Sequence, residues 1–302
     1  QEHPAEARTW AVKAAEGARA TDDHVTLVQA LIAIDHADLY LGVPVEGKYT
    51  AEALEICIAN GYRPRESAAR TNLGNFAFYA GRWDEALEWH ESSRRVALEA
   101  GNAFGAAETD LSIGEILVNR GQLDEAESVL RDCIRVLKVS GIEFAVAYGE
   151  MLLARVTLAK GRLDEADREL VRVVDTFMGF GARMTALEAS LVRAEVALAD
   201  ARPADALTII DEAERAAKGE AAPLRARSCL QRAAALLALG RLDECETALD
   251  LGLASAREQA LPYEEALLLK VRAQVTADRD ASSAAVDRAE SMRLLEELGA
   301  RA

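Results

Sequence analysis

Between residues 60 and 260 one arrangement of apolar and polar positions recurs, and its spacing is helical. In Leu123 to Val139 the apolar residues Leu123, Ala126, Val129, Leu130, Ile134 and Leu137 advance mainly by threes and fours, gathering on one helix face. Strand-like alternation is absent, and alanine, leucine, glutamate and arginine, all good helix formers, dominate. The breaks between helices are as regular as the helices. Ala80-Gly-Arg-Trp-Asp-Glu-Ala86, Arg120-Gly-Gln-Leu-Asp-Glu-Ala126, Lys160-Gly-Arg-Leu-Asp-Glu-Ala166 and Leu239-Gly-Arg-Leu-Asp-Glu-Cys245 align, with Asp200-Ala-Arg-Pro-Ala-Asp-Ala206 as a weaker copy. Their turn positions, 81, 121, 161, 201 and 240, are separated by 40, 40, 40 and 39 residues. A second series falls half a period away, at Gly61, Gly101, Gly141, Gly181, Gly219 and Ala260, ending near Gly299. Two breaks per period predict two helices per unit.

Local chemistry agrees with those boundaries. Pro4, Pro64, Pro203, Pro223 and Pro262 fall at predicted helix starts, where a missing N–H costs little, and Pro44 falls in a loop. The Asp-Glu pairs open the second helix of each unit, at the positive end of its dipole. Glycine inside a helix costs about 1 kcal/mol relative to alanine, so Gly74 and Gly114 need a reason. Their equivalents are Ala154, Ala194 and Ala233, and the partner slot holds Ala86, Ala126, Ala166, Ala206 and Cys245. Small residues in both slots predict closely approaching helix pairs, with Trp83, Leu123, Leu163 and Leu242 filling the neighbouring space.

Leu73-Gly74-Asn75-Phe76-Ala77-Phe78-Tyr79-Ala80-Gly81-Arg82-Trp83-Asp84-Glu85-Ala86 resembles the tetratricopeptide repeat, with its Leu-Gly on the first helix and Gly-x-aromatic-x-x-Ala at the turn. The usual unit is about 34 residues; the longer one here overlaps HEAT and armadillo periods, but the motif favours tetratricopeptide units with lengthened helices. The resemblance is strongest over 64–260 and weakens in the first unit, where Gly42-Val43-Pro44-Val45-Glu46-Gly47 interrupts the expected second helix. Elongated, alanine-rich units of this kind are similar to the C-terminal repeats of bacterial multidomain ATPase regulators and ATPase-linked class III nucleotide cyclases. That resemblance implies a region that senses or recruits partners in signalling or transcription regulation, with catalysis in other domains. The chain opens on Gln1 instead of methionine, which suggests a segment of a longer polypeptide.

Composition narrows the function classes. With 35 basic and 51 acidic side chains the formal charge is −16, which disfavours phosphate backbones and predicts no direct nucleic-acid binding. No apolar run approaches the ~20 residues of a membrane span. Cys57, Cys133, Cys229 and Cys245 stand singly in apolar segments, as reduced buried thiols of a cytoplasmic protein would. The histidines are scattered, and His90-Glu91 lacks the second zinc ligand because Arg94 occupies its place. Gly42 to Lys48 nearly matches a phosphate-binding loop. However, Tyr49 replaces the magnesium-holding hydroxyl, Glu46 places an anion among the phosphates, and a helix precedes it where a strand is required. No cofactor, metal or enzymatic activity is expected.

What remains is the concave face lined by the first helix of each unit. The resemblance implies that the residue after the Leu-Gly pair points into the groove: Asn75, Glu115, Arg155 and Glu195, then Ala234. Seven positions earlier, on the same face, lie Ala68, Glu108, Tyr148, Glu188 and Arg227. The Glu115–Arg155–Glu195 series reads either as an inter-repeat charge ladder or as a ligand clamp in which Arg155 and Arg227 meet an acidic group. Arg193 and Arg232 replace the motif leucine, as snorkelling side chains or a second basic patch. Arg82, Arg162, Arg202 and Arg241 are expected near helix C-termini, where positive charge is favourable.

The predicted fold is all-α, a right-handed superhelical solenoid of about seven antiparallel helix pairs plus flanking helices. It forms a single array over 1–302, with degenerate repeats in 1–63, regular repeats in 64–260 and a capping helix pair in 261–302. The predicted function is non-catalytic binding of a protein or peptide, including other domains of a parent protein, with no membrane contact. The alternatives are a small-molecule inducer sensor, closing through the groove or the 42–49 loop, and a self-association module forming a homo-oligomer.

Overall fold

The computed structural model describes residues 4–217 and 224–300. Among them the chain forms fifteen α-helices and no strand. The helices are α1 (Pro4–Thr21), α2 (His24–Tyr40), α3 (Lys48–Asn60), α4 (Arg63–Tyr79), α5 (Trp83–Glu99), α6 (Ala103–Asn119), α7 (Leu123–Val139) and α8 (Glu143–Ala159). They continue with α9 (Leu163–Gly179), α10 (Arg183–Ala199), α11 (Pro203–Ala216), α12 (Arg225–Ala238), α13 (Leu242–Glu258), α14 (Pro262–Thr276) and α15 (Ala281–Leu298).

Helix ends fall where the sequence breaks do. At the first regular turn Gly81 adopts φ +76°; its N–H donates to the Phe78 carbonyl at 3.0 Å, and the Arg82 N–H donates to the Ala77 carbonyl at 2.8 Å. Carbonyls left over at the end of α4 are thereby satisfied. The same left-handed turn is held without glycine at Ala201 (φ +54°) and Ala260 (φ +53°). The break expected at Gly219 and the helix start expected at Pro223 lie outside the described residues. Pro64, Pro203 and Pro262 occupy the first turns of α4, α11 and α14. Where the first unit weakens, residues 41–47 form a loop and α3 is shortened to 13 residues.

Seven antiparallel pairs result, from α2/α3 through α14/α15, preceded by α1. Each even-numbered helix from α2 to α14 also touches the next even-numbered one, so these helices form the inner wall of the expected superhelical solenoid. The pairs approach as closely as the small slots predict, though the facing residue differs. A Cβ at Gly74 would lie 2.6 Å from the His90 ring, and one at Gly114 would lie 2.5 Å from Leu130. The glycine thus accommodates the large residue one turn beyond the partner alanine. In the unit of α12 and α13 the two small slots do meet, the Cys245 thiol lying 3.2 Å from the Ala233 carbonyl. The neighbouring position fills space at Trp83, which is buried, but Leu242 is 39% exposed.

One contact has no counterpart in the repeat. The solenoid curves until its last unit reaches the second. Trp83, at the start of α5, packs on Tyr263 of α14 with ring centroids 5.2 Å apart. Ala77, Trp83, Ala86 and Ile116 share a buried cluster with Leu298 of α15, and a Cβ at Gly81 would collide with Pro262 and come within 2.9 Å of Leu298.

A chamber enclosed by the concave face

Because the two ends meet, the concave wall encloses space. Three cavities of about 460, 290 and 560 Å³ lie along it, and Tyr79, at the end of α4, borders all three. The first is bounded by Leu39 and Tyr40 of α2, the 42–46 loop, Phe144 and Tyr148 of α8, Glu188 of α10 and the turn Gln259–Leu261. Its walls are mainly apolar. The second has mixed walls and gathers the charged groups, with Glu115, Arg155, Glu188, Glu195, Arg227 and Glu264 converging from five helices. The third runs between α4, α6 and α8, past Asn75 and Glu108.

All eight residues assigned to the groove from the sequence therefore border these cavities: Asn75, Glu108, Glu115, Tyr148, Arg155, Glu188, Glu195 and Arg227. The ladder drawn through them is rearranged. Arg155 and Glu115 stand 4.0 Å apart, and Arg155 donates a 2.6 Å hydrogen bond to Asn119. Glu115 instead accepts from the Tyr148 hydroxyl at 3.1 Å. Glu195 is held by Gln231 at 2.8 Å, and Arg227 lies between Glu188 at 3.2 Å and Glu195 at 3.8 Å. Both arginines already face protein oxygens. Asn75, apart from this group, meets Ser112 at 3.4 Å.

The electrostatics follow from enclosure. Burial and the charge of Glu188 push the Glu115 carboxyl up to about 7, against the pull of Arg155 and Arg227. Burial also raises Glu264 and Glu108 from the ordinary carboxylate value. Arg227 is raised despite burial by Glu195, Glu188, Glu264 and Glu115.

Residues missed in the sequence fall into two groups. Tyr79, Asn119 and Gln231 lie one helical turn beyond Asn75, Glu115 and Arg227, so extending the same face by four would have found them. Tyr40, Val43, Leu261, Tyr263 and Glu264 come from the end units, and only closure brings them to the site. The 42–49 segment follows helix α2 and lends Val43, Pro44 and Glu46 to the apolar cavity, while Lys48 is exposed.

The other singled-out positions are absorbed by packing. Arg193 pairs with Asp167 at 2.8 Å, and Arg232 with Asp211 at 2.7 Å and Glu214 at 2.8 Å, so neither forms a free basic patch. The turn arginines precede the second helix and pair with acids in its first turn, as Arg82 does with Glu85 at 2.6 Å. All four cysteines are free thiols, three of them buried, and burial pushes Cys133 up to about 12. His90 is buried against Gly74, with neither ring nitrogen hydrogen-bonded. Among the described residues no group of acids, histidines and cysteines is arranged to hold a metal ion, and no helix is long and apolar enough to cross a membrane.

The same fold is found in solved Rap structures. A Rap protein complexed with Competence and Sporulation Factor gives a TM-score of 0.70 at 12% identity, covering 99% of this chain and 88% of that one. The Rap conjugation gene regulator of the plasmid pLS20, in complex with a Phr peptide, gives 0.66 at 13%, covering 94% and 72%. The apo form of RapI gives 0.52 at 10%, covering 96% and 98%. At such identities the likeness is one of fold. Comparison with curated proteins gives no significant match. Residues 23–302 match the family described as the MalT-like TPR region, which carries the tetratricopeptide reading over nearly the whole chain. The chain belongs to the MalT-like TPR family.

Proposed function

We propose that this chain is a non-catalytic recognition module that holds a short peptide in the chamber of its concave face and passes occupancy on to a partner protein or neighbouring domain. The observation that carries the reading is the half-open space beside Tyr79, mainly apolar at one end and lined by converging charged groups at the other. Binding sites combine apolar walls with a few placed polar groups, and this chamber has both. A peptide suits it better than a metabolite because the three cavities adjoin and extend over several units. Two similar folds, by their descriptions, are Rap proteins in complex with a factor or a peptide, which supports the same reading. The array acts as one unit over 1–302, within a cytoplasmic regulator, and its acidity disfavours direct contact with nucleic acid.

The test is steric. Val43 is exposed on the 42–46 loop and borders the apolar cavity, so Val43→Trp should fill the chamber without disturbing a helix. Mixed pentapeptides retained by the wild-type chain, measured by mass spectrometry, should be lost from this variant while circular dichroism is unchanged. Equal retention by both would remove the chamber from the mechanism.

A further inference from the structure

The apolar cavity has an unusual wall. Tyr40 and Tyr79, 41% and 44% exposed, border a half-open cavity, and Tyr148 and Phe144 stand on the same boundary. Glu188 borders both this cavity and the charge-lined one beside it. Burial raises all three phenols above their ordinary value, and the charge of Glu188 adds to it at each.

The balance of charge is one-sided. Six acidic side chains border the three cavities, Glu46, Glu108, Glu115, Glu188, Glu195 and Glu264, against the arginines Arg82, Arg155 and Arg227, although burial favours the neutral form of Glu108, Glu115 and Glu264. The arginines are engaged already: Arg82 by Glu85, Arg155 by Asn119, and Arg227 by Glu188 and Glu195. An anionic ligand would have to displace those partners and then sit among the remaining acids. A cation meets a smaller obstacle, because Glu188 is shared with Arg227 through one carboxylate oxygen, Oε1, at 3.2 Å. Aromatic faces attract ammonium and guanidinium groups through the ring quadrupole, more strongly where water is excluded, and a carboxylate at the rim supplies the counter-charge.

From this arrangement we propose that the chamber selects peptides carrying a lysine or arginine beside apolar residues, the cationic head lying among Tyr40, Tyr79 and Tyr148 with Glu188 as counter-ion. This rests on the peptide reading above and adds the ligand's charge. The apolar neighbours of the basic residue then cover Leu39, Val43 and Phe144, which explains why one cavity holds both greasy walls and an acid.

End-capped pentapeptide mixtures, random at four positions and fixed at the centre as Lys, Arg, Gln or Glu, test this on the full chain at low salt. The Lys and Arg mixtures should be retained at least about tenfold more than the Gln and Glu mixtures, a difference of about 1.4 kcal/mol. Glu188→Gln should level that preference, with helical content followed by circular dichroism. Should that variant lose its helices, Tyr79→Leu serves instead and should lower Lys and Arg retention while sparing the Gln mixture. Retention without charge preference, or preference for Glu, overturns this inference and leaves the peptide reading standing. Retention of no mixture overturns both.

Discussion

Two regions of this solenoid are held together differently. Along α6 to α10 every helix packs on its chain neighbours, and one buried cluster runs from Ala107 to Val196. At the seam, α4 and α5 meet α14 and α15 across 180 to about 220 residues of chain, through Trp83, Tyr263, Pro262 and Leu298. The regular stretch depends on near-neighbour interfaces, so its stability is set by packing repeated unit by unit. The seam depends on the accumulated curvature of every unit between its halves. Shape is thus most sensitive where stability is least concentrated, and the chamber sits against the seam.

The largest expected effect lies in the regular stretch. Leu170 is fully buried in α9, and Leu170→Ala should destabilise the chain by about 2–5 kcal/mol through lost transfer energy and a residual cavity. Denaturant unfolding should register this as a lowered midpoint. A cost below about 1 kcal/mol would mean that the stretch collapses around the gap more readily than its packing implies.

A second test uses the one unit in which a titratable ring replaces an aliphatic side chain. His90 occupies the position held by Leu130, Leu170, Ile210 and Leu249 in later units, and burial lowers it from 6.5 to about 4. Below pH 6.5 the unfolded chain takes up a proton that the folded chain refuses. Stability from this ring is therefore lost as pH falls from 6.5 to about 4, by on the order of 3 kcal/mol. Glu115 has the opposite sign. Its carboxyl is raised from 4.5 to about 7, so the folded chain retains a proton that the unfolded chain has released, and stability falls as pH rises through that interval. Between pH 4.5 and 6.5 the two oppose each other. His90→Leu should leave a stability that declines with rising pH, and Glu115→Gln one that declines with falling pH. Unfolding curves at three pH values distinguish the slopes, and parallel profiles for the two variants would refute the assignment.

The smallest energetic effect belongs to the seam. Tyr263→Leu keeps apolar bulk but removes the ring that faces Trp83, and should cost about 0.5–1.5 kcal/mol. Its signature is geometric: the radius of gyration from small-angle scattering should rise while helical content is preserved. An unchanged radius would show that the remaining contacts of Pro262 and Leu298 close the ring by themselves.

These contrasts follow what a sequence encodes. The period of breaks, the helices between them, the prolines in first turns and the small slots at Gly74 and Gly114 arise from interactions within a few residues or between adjacent helices. A recurring string states such interactions directly. The inner-wall positions were legible for the same reason, since a fixed helical phase repeated every 40 residues marks one face. The partners across that face were not. Which of Glu188, Glu195 or Glu115 takes Arg227 depends on side-chain reach and on the offset between successive units.

By itself, then, the sequence determined a helical array, its register and the face on which polar groups gather. Only the tertiary structure decided that the array closes on itself, because closure sums small rotations over seven pairs and no single motif records that sum. Tyr40, the 42–46 loop, Tyr263 and Glu264 are brought to the chamber by that sum alone. Of these, Tyr263 continues a repeated slot, that of Phe104, Phe144, Met184 and Leu224, but nothing in the repeat records that it meets Trp83.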